Sequence, residues 1–185
     1  MEALFTIADA MNINDLDDTA ITQLALTLAA GLNECQLKLA CAESCTGGWI
    51  AKSLTDLSGS SRWFDCAVVS YSNQAKINLL GVSAQTLDTH GAVSQPVVKE
   101  MVLGLLDRCD ADYGIAVSGI AGPGGGSTEK PVGTVWLAWG RPGVLIEAMR
   151  FKFDGDREQV RRQAVVAGIQ GVLRLINQQA DDSGS

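Results

Sequence analysis

Two adjacent residues, Ser44 and Cys45, carry nucleophilic atoms in the run Ala42-Glu43-Ser44-Cys45-Thr46-Gly47-Gly48. The run follows Leu39-Ala40-Cys41-Ala42, which has the composition of a buried strand, and precedes Trp49-Ile50-Ala51-Lys52-Ser53-Leu54, which reads as the start of a helix. A strand-to-helix turn of this kind stands at the carboxyl end of a strand, where open α/β proteins hold their ligands. The first N–H groups of a helix lack intrahelical partners and the helix dipole favours negative charge there. The turn therefore suits a bound phosphate, or an oxyanion formed beside a nucleophile. A serine needs a base to remove its proton. A cysteine needs a lowered pKa, which a helix N-terminus supplies. Both nucleophiles stay open on this pattern. Thr46 is expected to cap the helix, and Glu43 either orients a polar partner or marks the strand end.

For a serine nucleophile the base is His90 or a lysine. His90 is the one histidine of the chain, in Thr89-His90-Gly91, which reads as a loop and offers no local support for a triad. Lysine becomes a base when burial lowers its pKa. Lys76 closes the run Tyr71-Ser72-Asn73-Gln74-Ala75-Lys76, just past a second apolar stretch, Cys66-Ala67-Val68-Val69-Ser70-Tyr71. If those two strands are parallel neighbours, their ends open on one edge of the sheet and Ser44 can meet Lys76. Tyr71 can then donate or relay a hydrogen bond. The bland alternative for Lys76 is a solvated helix lysine.

A second feature is Gly119-Ile120-Ala121-Gly122-Pro123-Gly124-Gly125-Gly126-Ser127. Repeated glycine lets a backbone approach a ligand closely and present successive N–H groups. The spacing is neither the dinucleotide fingerprint nor a P-loop. Gly119, Ala121 and Gly122 are the candidate ligand-lining positions, with a plain hairpin connection as the alternative. Lys130, Arg161 and Arg162 are candidate anion partners. Trp63, beside Arg62, is a candidate face for a ring-shaped ligand, and the other tryptophans are core candidates.

These residues must be positioned by elements that the pattern also indicates. Asp17-Asp18-Thr19 can cap a helix to about Asn33. Short helices are expected over Gln74–Leu80 and Ser83–Leu87, and a longer one from Ser94, with Pro96 in its first turn. Asp112–Ser118 and Pro131–Trp139 read as strands, and Val144–Phe153 as a fifth, after the turn signal Arg141-Pro142-Gly143. The last two strands are too close for a helical crossover, so they form an antiparallel hairpin. A helix follows from about Arg157 to Gln178. Alternating strands and helices with a late hairpin predict an α/β fold: a three-layer α/β/α sandwich on a mixed, mostly parallel sheet. One domain is expected over 16–180, with a loosely ordered segment at 1–15 and a frayed tail at 181–185.

Bulk properties narrow the function. The 185 residues suit one domain, and 46% hydrophobic residues suit an ordinary globular core. A net charge of −7 without a basic stripe argues against nucleic acid as a partner. No apolar run reaches membrane-spanning length, and the first nineteen residues carry no Lys or Arg, unlike a secretory signal. A cytoplasmic protein is the expectation. The five cysteines, with no Cys-x-x-Cys pair, are expected to be reduced thiols, and a metal site is not expected with one histidine.

Five motifs in order, Ala42 to Gly48, Tyr71-Ser72-Asn73-x-x-Lys76, His90-Gly91-Ala92-Val93-Ser94, Ser118-Gly119-Ile120-Ala121-Gly122-Pro123 and Lys130-Pro131-Val132-Gly133-Thr134-Val135, resemble the CinA C-terminal domain family over roughly Ala20 to Gln178. Stand-alone bacterial members of that family are nicotinamide-nucleotide amidohydrolases. The resemblance implies hydrolysis of the carboxamide of nicotinamide mononucleotide, releasing ammonia, by a serine amidohydrolase with a lysine base and without metal or other cofactor. It implies Ser44 as nucleophile, Lys76 as general base and Tyr71 as a supporting hydroxyl. Backbone N–H groups of Cys45, Thr46 or nearby Gly47 and Gly48 would steady the oxyanion. The phosphate would rest on the helix start at Gly47 or on the glycine-rich loop, with help from Arg162. The partner is thus a small molecule, with the exposed face of the hairpin as a candidate homodimer surface.

Overall fold

The computed structural model describes residues 16–144 and 146–183; the expectation for 1–15 and that for 184–185 lie outside them. The order of elements is α1 (Asp18–Glu34), β1 (Leu39–Glu43), α2 (Trp49–Thr55), a 3-10 turn (Ser60–Arg62), β2 (Phe64–Val69), α3 (Asn73–Leu80), α4 (Ala84–His90), α5 (Gln95–Leu106), β3 (Tyr113–Gly119), β4 (Thr134–Gly140), β5 (Glu147–Lys152) and α6 (Arg157–Ser183). The strands lie in the order β2-β1-β3-β4-β5. β2 and β3 run parallel to β1, while β3–β4 and β4–β5 pair antiparallel. The sheet is therefore mixed, a parallel half carrying an antiparallel half, with the expected hairpin at its end.

Alternation along β1 builds the layers. Leu39 and Cys41 face one cluster, in which Leu28, Leu32, Ile50, Leu54, Val165 and Ile169 come from α1, α2 and α6. Ala40 and Ala42 face the other, with Leu80, Leu87, Met101 and Leu105 from α3, α4 and α5. Side chains of consecutive strand residues point to opposite faces, so a strand buried on both sides reads as one apolar run. Ala116 and Ala138 also lie on the second face. These short side chains leave room for α5 to sit close to the sheet. At Gly104 in α5, an added Cβ would lie 1.6 Å from the Leu80 carbonyl oxygen, so the α5–α3 approach requires glycine.

Several boundaries differ from the sequence expectation. β2 ends at Val69 rather than Tyr71, because the chain turns after the Ser70 N–H bonds the Glu43 carbonyl and Ser72 caps α3 through the Ala75 N–H. α2 begins at Trp49 rather than Gly47, since Gly47 and Gly48 have φ of +62° and +93°. His90 ends a helix instead of sitting in a loop, and α6 extends past Gln178 to Ser183. The expectation of uniformly reduced cysteines is corrected: Cys66 of β2 and Cys109 after α5 form a disulfide. The edge strand and the α5–β3 connection are adjacent in space, as the Asp110 N–H bond to the Asp65 carboxylate shows. Sequence separation hides that adjacency. Cys41 and Cys45 are buried thiols and Cys35 is exposed. Among the described residues no helix is long and apolar enough to cross a membrane.

Candidate active site

The parallel pairing of β1 with β2 aligns Glu43 with Val69, so the residues just past both strands share one edge of the sheet. Ser44 stands immediately after β1, its N–H bonded to the Val117 carbonyl of β3 at 3.1 Å. Lys76 lies in the first turns of α3 and is 1% exposed. Its Nζ donates to Ser44 Oγ at 2.9 Å, to the Ser70 carbonyl at 2.7 Å and to the Tyr71 carbonyl at 3.5 Å. The solvated alternative for Lys76 is thereby excluded. Burial lowers its pKa from the ordinary 10.5 to about 8, the nearby Cys45 opposing the shift. A lysine of that kind is neutral in a useful fraction near neutral pH and sits within hydrogen-bond reach of a serine hydroxyl, the geometry of a base and its nucleophile.

Cys45 has the opposite environment. Its side chain is 6% exposed in the core, and burial pushes the thiol up to about 12, with the negative charge of Glu43 adding to the rise. The helix-terminus effect that favours a thiolate does not reach it, because the α2 N–H groups are already occupied. Glu43 is fully buried and its carboxylate accepts from Gly48 N at 2.9 Å, Ile50 N at 3.2 Å and Ala51 N at 2.8 Å. The expected helix cap at Thr46 is therefore corrected: α2 starts after Gly48 without a side-chain cap from that position, and Thr46 Oγ1 is buried with no hydrogen-bond partner among the described residues.

Arg161 of α6 holds the turn from the other side. Its Nε donates to the Cys45 carbonyl at 3.0 Å and its guanidinium to the Thr46 carbonyl at 2.6 Å, while it lies over the Trp49 ring at 5.1 Å. A trans peptide points its N–H opposite its C=O. The Thr46 N–H is therefore directed away from Arg161. Among the described residues the N–H of Cys45 and that of Thr46 make no hydrogen bond to another residue, whereas those of Gly47 and Gly48 are bound to the Ser44 carbonyl and Glu43. Of the four expected oxyanion positions, two have committed amides.

Other expected residues fall elsewhere. Tyr71 is 61% exposed, and its hydroxyl accepts from Arg157 at 3.2 Å. Only its backbone carbonyl reaches the lysine, so the expected hydroxyl relay is not assembled here. Arg157 also donates to the Gly122 carbonyl at 2.9 Å, tying the glycine-rich loop to the start of α6. Ala121, Pro123, Val132, Gly155, Asp156, Arg157 and Glu158 line an open groove of about 420 Å³ beside that loop, so its one arginine stands among two acids. Gly119 packs against the Ser44–Thr46 turn: an added Cβ would lie 2.6 Å from Val135 and 3.1 Å from Cys45 Sγ. Arg162 is corrected as an anion partner, because its guanidinium is paired with Asp18 and Glu158 and covers the Trp49 ring. Lys130 Nζ is bonded to the His90 carbonyl at 2.6 Å. Trp63 is 2% exposed and packs in the core, so its ring is not an open face of the kind expected.

The profile of the CinA C-terminal domain matches residues 21–176. The chain belongs to that family. It is 51% identical over 160 residues to the nicotinamide-nucleotide amidohydrolase PncC of Enterobacter agglomerans, covering 86% of this chain and 97% of that protein. It is 48% identical over 155 residues to PncC of Escherichia coli strain K12, covering 84% and 94%. The crystal structure of the competence/damage inducible protein CihA from Agrobacterium tumefaciens superposes with a TM-score of 0.82 at 40% identity, covering 87% of this chain and 96% of that one. Within this CinA-family chain, the sequence leaves Glu43 between orienting a polar partner and marking the strand end, gives Arg157 no role and offers Arg161 only as an anion partner. An acid directly before Ser44 is a readable signal; Arg157 reaches Tyr71 across 86 residues and Arg161 reaches Cys45 across 116, with no local signal.

Proposed function

We propose that the chain hydrolyses the carboxamide of nicotinamide mononucleotide to nicotinic acid mononucleotide and ammonia, with Ser44 as nucleophile and Lys76 as general base. The observation that carries the mechanism is the buried Lys76 Nζ at 2.9 Å from Ser44 Oγ. The substrate assignment is supported by near-complete coverage of relatives named as nicotinamide-nucleotide amidohydrolases.

Neutral Lys76 takes the Ser44 proton as Oγ attacks the amide carbon. The resulting ammonium is held by the Ser70 and Tyr71 carbonyls. The N–H groups of Cys45 and Thr46 meet the oxyanion. Lys76 returns the proton to the departing amine, ammonia leaves, and an acyl-enzyme remains. Water, deprotonated by Lys76, then releases the acid and restores Ser44. The α2 start is filled by Glu43 and Arg162 is paired, so the substrate phosphate falls to the glycine-rich loop side. Arg157 is available there: none of the ion pairs among the described residues includes it.

Ammonia release from nicotinamide mononucleotide, measured with a chelator present for the wild type and Ser44→Ala, tests the proposal. Release by the wild type and none by the variant is expected. Release by both removes Ser44 as nucleophile, and release by neither removes the substrate.

A further inference from the structure

We propose that Glu43 is the positioning residue of the nucleophile turn: its buried carboxylate, by holding the N–H groups that open α2, sets the backbone of Ser44 to Thr46 for reaction. This rests on the reading of Ser44 as nucleophile.

A fully buried carboxylate beside a reactive serine needs a reason, because burying an ion is costly unless hydrogen bonds compensate. Here three backbone N–H groups do so, and Cys41 Sγ adds a longer contact at 3.5 Å. An ordinary helix start would satisfy those donors with a Ser, Thr or Asp side chain at its own N-cap. This chain places glycines at 47 and 48 and reaches across the turn from the preceding strand instead. The result is a closed frame around Ser44 to Gly47, with its two ends joined by one side chain. The main chain of Glu43 is equally fixed, because its carbonyl accepts from Ser70 N at 2.8 Å. Ser70 in turn offers its own carbonyl to Lys76 Nζ. One residue thus links the turn that carries the nucleophile to the strand end that anchors the base.

The frame has two chemical consequences. With the Gly48, Ile50 and Ala51 amides bound internally, the amides left over at the turn are those of Cys45 and Thr46, next to Ser44. The same negative charge also disfavours a thiolate at Cys45, which keeps the chemistry on the hydroxyl. Arg161 clamps the Cys45 and Thr46 carbonyls from α6, so the turn is held by an acceptor at one end and a donor at the other.

The test is Glu43→Gln, which keeps the shape and one acceptor oxygen but turns an amide NH2 toward backbone donors. Misplacement by about 1 Å can cost about 10²-fold, so kcat should fall by about that factor while KM stays within about threefold. A second readout needs no substrate: the rate at which Ser44 is phosphonylated by a fluorophosphonate, followed by intact mass on protein shown to be folded by circular dichroism. That rate should fall in parallel. A kcat within about threefold of wild type, an effect confined to KM, or an unchanged labelling rate would each overturn the proposal. If the wild type releases no ammonia from nicotinamide mononucleotide, the substrate reading fails while the labelling comparison still decides the role of Glu43.

Discussion

On the proposed mechanism, activity follows the titration of one buried amine, Lys76, whose pKa burial lowers. With a pKa of about 8, the neutral base is about 1% of the enzyme at pH 6, about 9% at pH 7 and about 91% at pH 9. The quantity kcat/KM should therefore rise about tenfold per pH step below 8 and flatten above 9, because it reports groups of the free enzyme. The assay is product formation from nicotinamide mononucleotide, quantified chromatographically between pH 5.5 and 10 at constant ionic strength. Stability should carry the same signature. The folded pKa is about 8 and the ordinary value 10.5, so the unfolded chain binds more protons between them and stability rises with pH across that window. The gap corresponds to about 3 kcal/mol, read as the wild type minus Lys76→Met difference in urea unfolding at pH 8 and at pH 10.5. Lys76→Met should also abolish turnover. A profile flat from pH 6 to 9, or an inflection below 6.5 that disappears in His90→Ala, would refute the assignment of Lys76 as base.

Two further outcomes follow from the cysteines. Cys45→Ala should retain turnover within about tenfold, equivalent to 1.4 kcal/mol of barrier, because the thiol is buried and held protonated; a loss as deep as that of Ser44→Ala would make Cys45 the nucleophile. The Cys66–Cys109 bond closes a sequence separation of 43 residues, so reducing it should lower unfolding stability by up to about 4 kcal/mol on the chain-entropy account. The check is a urea titration with and without dithiothreitol, with Cys66→Ser as the reductant-insensitive control. Equal midpoints would mean that the bond does not constrain the unfolded chain.

The strand-to-helix turn, the order of elements, the late hairpin and the pairing of Ser44 with Lys76 were legible in the sequence. Each rests on short-range signals: apolar runs, caps, glycine positions, and the rule that parallel neighbours open on one edge. The five ordered motifs extended this to the family, and the profile match over residues 21–176 agrees. What the sequence could not supply were properties of enclosure and of distant approach. The type and position of Lys76 are local, but its shifted pKa comes from tertiary packing that buries it. Cys45 sits at a helix start, where a thiolate would be favoured, yet the tertiary structure buries it and gives the helix donors to Glu43. Tyr71, Gly122 and Arg157 meet across the whole parallel half of the fold, and Arg162 is spent on Asp18 at the far end of the chain. Sequence fixes which groups can react, through local spacing; only the folded chain decides which of them are dry, which are paired, and therefore which one is left to do the chemistry.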